Sequence, residues 1–118
     1  MEWKGELFMR DKRYCLYART AQMNQLELDS QAERLKSFAR KHELNVVHCA
    51  LELGSAHNYK RLALNQVMEL ADNHEIDIIL ITDSARIYRD IAKYIDFVGK
   101  MKSLGIKILT LDDIKIAL

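Results

Sequence analysis

Four apolar runs alternate with stretches of helical periodicity along the chain. Tyr14 to Arg19 reads as a first strand. Leu28, Ala32, Leu35 and Ala39 then recur at helical spacing, and Ser30 with Glu33 has the form of a capping box at the helix start. Leu44 to Leu51 is a second strand, followed by a loop that contains Gly54. Leu64, Val67, Met68 and Ala71 mark a second helix that ends near Asn73 and His74. Ile76 to Thr82 is almost continuously apolar, which predicts a strand buried on both faces. Ile91, Ile95, Val98 and Met101 mark a third helix, with Gly105 as its C-cap. Ile106 to Leu111 is a fourth strand, and Asp112 to Leu118 fits either a short edge strand or a helix start. This order predicts an α/β domain of three layers: a mainly parallel sheet of four to five strands with helices on both faces.

Composition narrows the class without naming a function. The 118 residues make one domain, and 49% apolar with 30% charged residues is ordinary for a globular protein. The absence of proline and the presence of four glycines leave no linker. Residues 1–13 are polar and charged around a lone Trp3 and read as an N-terminal extension, with residues 14–118 as the folded domain. Cys15 and Cys49 lie in predicted strands and match no metal-ligand spacing, so they read as small reduced hydrophobes. The histidines His42, His48, His57 and His74 form no ligand pair either, so no metal and no cofactor is expected. No run is apolar enough to span a membrane and the N-terminus lacks a secretory pattern, which predicts a cytoplasmic protein. A net charge of +1 does not announce nucleic acid. Any DNA contact has to come from where the arginines are placed.

That placement is informative. In open parallel sheets, ligands bind beyond the carboxyl ends of the strands. Arg19 ends the first strand. Glu52, Gly54, Ser55 and Arg61 follow the second, and Asp83, Ser84, Arg86 and Arg89 follow the third. Taken singly, each arginine reads as a solvated surface residue. Four of them, far apart in sequence, fall on one edge of one sheet, and core packing has no use for that. Arg86 and Arg89 are three apart, so they share a face if they open the third helix with Asp83 or Ser84 as its cap. Cations there oppose the helix dipole unless an anion occupies the site, so the cluster points to anion binding.

The same residues carry a family resemblance. Tyr17-Ala18-Arg19-Thr20-Ala21 resembles the first-strand motif Tyr-Ala-Arg-x-Ser of the serine recombinases, the resolvase/invertase family. Gln31 and Leu35 fall where that family's first helix often carries Gln and Leu. Glu52-x-Gly54 resembles its Asp-x-Gly. Arg61-Leu62-Ala63-Leu64 resembles its Arg-Pro-x-Leu, and Ala85-Arg86-Ile87-Tyr88-Arg89 resembles its Asp-Arg-Leu-x-Arg. Order and spacing agree from about Tyr14 to Asp113. The resemblance implies a catalytic domain that breaks and rejoins DNA in site-specific recombination, the chemistry of mobile genetic elements, without ATP or a required metal. A serine attacks the scissile phosphate, and arginines stabilise the charge that develops on it. By motif match those arginines are Arg19, Arg61, Arg86 and Arg89.

Two departures touch the chemistry. Ala21 occupies the position of the nucleophilic serine, and Ala85 that of an aspartate beside the arginines. A methyl group forms no phosphoserine ester, so the resemblance implies a domain defective in cleavage. The alternative is an active recombinase domain that uses an unusual hydroxyl, Thr20 or Ser55, with Ser84 the other nearby one. If Arg19 faces the phosphate, alternation along the strand turns Thr20 away. The family continues into a long subunit-pairing helix and a DNA-binding region. This sequence stops at Leu118, with Ile114, Ile116 and Leu118 as an apolar tail. The expected partners are DNA, bound weakly through phosphate contacts, and a second copy or another recombinase subunit. Two other classes are weighed. A receiver-like signalling domain would use Asp83 as phosphoacceptor, but Arg19 stands where it needs acidic residues. A dinucleotide binder would need glycines after the first strand, and residues 20–25 contain none.

Overall fold

A computed structural model describes residues 11–20, 24–54 and 61–112. The strands β1 (Arg13–Thr20), β2 (Asn45–Leu53), β3 (Ile78–Ile81) and β4 (Lys107–Thr110) form one sheet in the order β2-β1-β3-β4, and every pairing is parallel. The helices are α1 (Gln25–Lys41), α2 (Leu62–Asp72) and α3 (Ile91–Ser103). Alternation along β1 divides the core. Tyr14, Leu16 and Ala18 pack with Leu28 and Leu35 of α1 on one face. Cys15 and Tyr17 pack with Leu64, Val67 and Ala71 of α2 and with Phe97 and Met101 of α3 on the other. The expected three layers are therefore present, with four strands among the described residues. β3 is buried at all of its positions, as its unbroken apolar run requires.

Three details differ from the sequence expectation. The first helix begins earlier than Ser30: Asn24 is its N-cap, and Asn24 Oδ1 accepts from the Glu27 amide at 3.1 Å. The Ser30–Glu33 pattern lies inside the helix, where Glu33 instead accepts from Ser37 and Arg40. The segment after β3 is not the start of the third helix. Asp83 caps a short 3-10 turn, Ser84–Arg86, and Asp90 separately caps α3 through the amides of Ala92 and Lys93. Each aspartate satisfies the amides just beyond it, so the chain turns twice. Arg86 and Arg89 therefore do not share a helix face. Finally, α3 buries only part of the expected stripe. Met101 faces the core as expected and Phe97 joins it, whereas Ile91 and Ile95 are 73% and 61% exposed. Phe97 meets Tyr88 edge-on at 6.2 Å, which favours the inward turn of this face.

Each helix stops in the same way. After α3, the amides of Gly105 and Ile106 return to the carbonyls of Lys102 and Met101 at 2.9 Å each, with Gly105 at φ 79°. This is a Schellman motif. After α1, Glu43 (φ 55°) and Leu44 make the equivalent bonds to Arg40 and Ala39. After α2, His74 (φ 56°) and Glu75 make them to Ala71 and Leu70. Asp77 anchors the start of β1 by accepting from the Arg13 amide, Nε and Nη2 at 2.8, 3.0 and 3.1 Å. The pairing holds the Asp77 carboxyl below the usual carboxylate range, through the Arg13 hydrogen bond first. β1 thus starts at Arg13, one residue into the segment read as an extension.

Candidate functional site

Two central strands and one long edge strand end on the same side of the sheet. β1 runs in parallel to its last residue beside β2, pairing Arg19 with Glu52 and Thr20 with Leu53. β3 delivers the chain into the Ser84–Arg86 turn beside them. Gly54 follows β2 at φ 138°, a backbone conformation that glycine alone adopts readily. Its amide donates to the Thr20 carbonyl at 2.9 Å, closing the edge.

Arg19 occupies the centre and is 1% exposed. Its Nη1 donates to the Gly54 carbonyl at 2.9 Å, Nη2 to Ala85 at 2.6 Å and Nε to Arg86 at 2.8 Å. Gln31 of α1 fixes its backbone from the opposite face, accepting from the Arg19 amide and donating to the Arg19 carbonyl, both at 3.0 Å. Burial and the nearby Arg61 lower the Arg19 pKa from its ordinary value, with Arg86 and Arg89 acting in the same direction.

Arg61 is 6% exposed and immediately precedes α2. It donates through Nη1 to the Ile87 carbonyl, and through Nη2 to the Arg86 carbonyl and the Tyr17 hydroxyl at 2.9 Å each. Its Nε lies 3.5 Å from Glu52 Oε1, and its guanidinium sits 5.2 Å from the Tyr88 ring centroid. Tyr17 in turn donates to Glu52 Oε1 at 2.5 Å. Burial is the main cause that pushes the Tyr17 hydroxyl above its ordinary range. Glu52 Oε2 accepts from the Ala63 amide at 2.9 Å. Arg61 provides no side-chain cap, so Glu52 caps α2 from a neighbouring strand. Its place before Gly54 marks Glu52 in the sequence but gives it no role there. The signal for that role is a helix start with no Ser, Thr, Asp or Asn immediately in front of it.

The remaining two arginines are outward. Arg86 has a side chain 24% exposed; its Nε donates to Asp83 Oδ2 at 3.2 Å and its Nη1 to the Arg19 carbonyl at 3.0 Å. Asp83 Oδ1 also accepts from the Ala85 amide at 3.1 Å. Arg89 is exposed and makes no hydrogen bond or ion pair to another described residue. Arg19, Arg61 and Arg86 are therefore linked through shared carbonyls, with Glu52 beside Arg61 and Asp83 beside Arg86.

Of the hydroxyls named from the sequence, Thr20 is 1% exposed. Ser84 is exposed at the start of the turn. Ala21, Ser55 and the tail bearing Ile114, Ile116 and Leu118 lie outside the described residues. Among the described residues, no group of His, Cys, Asp and Glu converges to hold a metal ion, and no helix is long and apolar enough to cross a membrane.

The chain is thus a parallel α/β domain with arginines at the carboxyl edge of its sheet. Residues 14–117 match the family described as resolvase, N-terminal domain. The chain belongs to that family and is a resolvase-like serine recombinase catalytic domain. It is similar to the C-terminal catalytic domain of ISC1926 TnpA, an IS607-like serine recombinase, with a TM-score of 0.78 and 25% identity over 84% of this chain and 69% of that one. The N-terminal catalytic domain of TP901-1 integrase superposes with a TM-score of 0.77 at 20% identity, covering 86% and 78%. A resolvase family site-specific recombinase from Streptococcus pneumoniae gives 0.73 at 21%, covering 87% and 74%. No curated protein matches the sequence. The family membership replaces the receiver-like alternative, and Asp83 is committed to the Ala85 amide and to Arg86.

Proposed function

We propose that this domain binds the phosphate backbone of DNA through Arg19, Arg61, Arg86 and Arg89 and does not cut it. The carrying observation is the linkage of Arg19, Arg61 and Arg86 at the carboxyl edge of the sheet, with exposed Arg89 three residues beyond Arg86, in a family of recombinase domains. An excess of positive charge held at a strand edge is stabilised by an anion and destabilised without one. The sequence supplies Ala21 where cleavage needs a serine, and Thr20 is buried. DNA is thus bound weakly, in a site-specific recombination setting that belongs to mobile elements and the cytoplasm. The chain works beside a second copy or another recombinase subunit, a reading favoured by the apolar Ile91 and Ile95 left outside the core.

The test is a covalent-adduct assay on nicked and bubbled DNA, using the domain fused to a DNA-binding region. The unaltered sequence is expected to give no protein–DNA adduct, and an adduct would sink the reading. Ala21→Ser is expected to restore nicking if the arginines still hold phosphate as the family does. No nicking by that variant would show that the site has lost more than its nucleophile.

A further inference from the structure

We infer that the groove between α1 and β2 is the seat of the chain's own residues 1–10, with Leu7, Phe8 and Met9 against its walls. The groove lies at the amino end of the sheet, away from the arginine edge, and has a volume of about 480 Å³. Leu16, Ala39, Leu44, Val46 and Cys49 make it largely apolar. It borders an edge strand. Among the described residues β2 pairs with β1 alone, and Val46, Val47 and Leu51 are 37%, 46% and 42% exposed. Edge strands are usually protected by charge, by proline or by a bulge. From Asn45 to Leu51 this one has no acid, no lysine or arginine and no proline. A register shift opposite Tyr14 and Cys15 is its one device, which leaves the strand in need of a cover.

Residues 1–10 lie outside the described residues, and three observations assign them this seat. The first is where the chain arrives. Arg13 pairs with Asn45 and Tyr14 with Val46, so β1 starts at the mouth of the groove, and the chain turns at Asp11 just before it. The second is reach. The strand wall from Asn45 to Cys49 is about 13 Å long at roughly 3.3 Å per residue, and residues 6–10 match that length when extended. The third is the order of side chains. Glu6-Leu7-Phe8-Met9-Arg10 sets three apolar residues between an acid and a base. On the helix side of the groove, Glu43 just beyond α1 and Lys36 within it stand about 10 Å apart at roughly 1.5 Å per residue. A segment that turns back from Asp11 meets them in register, Arg10 with Glu43 and Glu6 with Lys36. Arg40 lies between them and is held by Glu33 at 2.5 Å. Lys36 is exposed and pairs with no carboxylate of a described residue. Exposed ion pairs add little to affinity, so the apolar residues hold the segment and the charges set its direction.

Thiol chemistry on the whole chain tests this. Cys49 lines the groove and is half-buried, and Cys15 is 0% exposed, so a maleimide reads the cover through Cys49 with Cys15 as the control. Phe8→Asp is expected to raise the Cys49 labelling rate about tenfold and to leave Cys15 unlabelled. A carboxylate added beside a thiol slows it, so the acceleration reports uncovering and not charge. Leu7→Cys adds a thiol opposite Cys49, and diamide is expected to join the two in a disulfide within one chain, read by peptide mass. An unchanged Cys49 rate in Phe8→Asp, or no disulfide in Leu7→Cys, would overturn the inference. A disulfide that joins two chains, or a Cys49 rate in the unaltered protein that rises on dilution, would assign the groove to a second copy and overturn it too. Equal labelling of Cys15 and Cys49 in Phe8→Asp would show that the segment holds the whole domain together, and would overturn the groove as its seat.

Discussion

At the scale of the residue, Glu52 joins three elements. One carboxylate oxygen caps α2 at the Ala63 amide, and the other accepts from Tyr17 of β1 while facing Arg61. Its neighbours leave it little contact with water, so each bond counts for more than a surface pair would. Glu52→Ala leaves Arg61 beside an empty space and α2 uncapped, and is expected to destabilise the domain by about 3 kcal/mol. Tyr17→Phe removes a single hydroxyl and is expected to cost about 1 kcal/mol. Because the two share a hydrogen bond, the double variant should lose less than the sum, with a coupling of about 1 kcal/mol in denaturant melts. Additive losses would show that the two side chains act independently. The sequence placed Arg19, Arg61, Arg86 and Arg89 on one edge, but not which way each one points. The acceptors that decide this are mostly backbone carbonyls, and every sequence offers those equally.

At the scale of the element, most boundaries were legible because they follow from periodicity and from glycine. The β3 run and the stop at Gly105 are examples. The failures came from patterns that compete. Ser30 and Glu33 imitate a helix start inside a helix, and Ile91 with Ile95 forms an apolar stripe adjacent to the one that Phe97 and Met101 bury. The helix ends give a sharper expectation. Glu43 and His74 hold left-handed conformations that cost a side-chain-bearing residue about 1 kcal/mol, whereas Gly105 holds its own without that cost. Glu43→Gly and His74→Gly are each expected to stabilise the domain by about 0.5 kcal/mol, after the greater freedom of glycine in the unfolded chain is deducted. Gly105→Ala is expected to destabilise it by about 1 kcal/mol, through the backbone alone, because a Cβ there meets nothing within 4 Å. Thermal melts of the three variants check both signs. Destabilisation by both glycine substitutions would mean that the Glu43 and His74 side chains contribute more than their conformations cost.

At the scale of the whole molecule, charge is nearly balanced, with a net of +1, so no long-range field draws DNA to the domain. Affinity then depends on how many phosphates are neutralised locally. Each one releases counterions and adds about −0.9 to the slope of log K against log salt on duplex DNA. With Arg19, Arg61, Arg86 and Arg89 each engaging a phosphate, the expected slope is about −3.6, so affinity should fall more than about a hundredfold between about 50 and about 200 mM salt. Arg89→Gln should reduce the slope to about −2.7, because it removes one phosphate contact. Fluorescence anisotropy with a labelled duplex across a salt series measures these slopes directly. A slope near about −1.8 for the unaltered domain would keep the buried Arg19 and Arg61 off the DNA, committed to the carbonyls of residues 85–87.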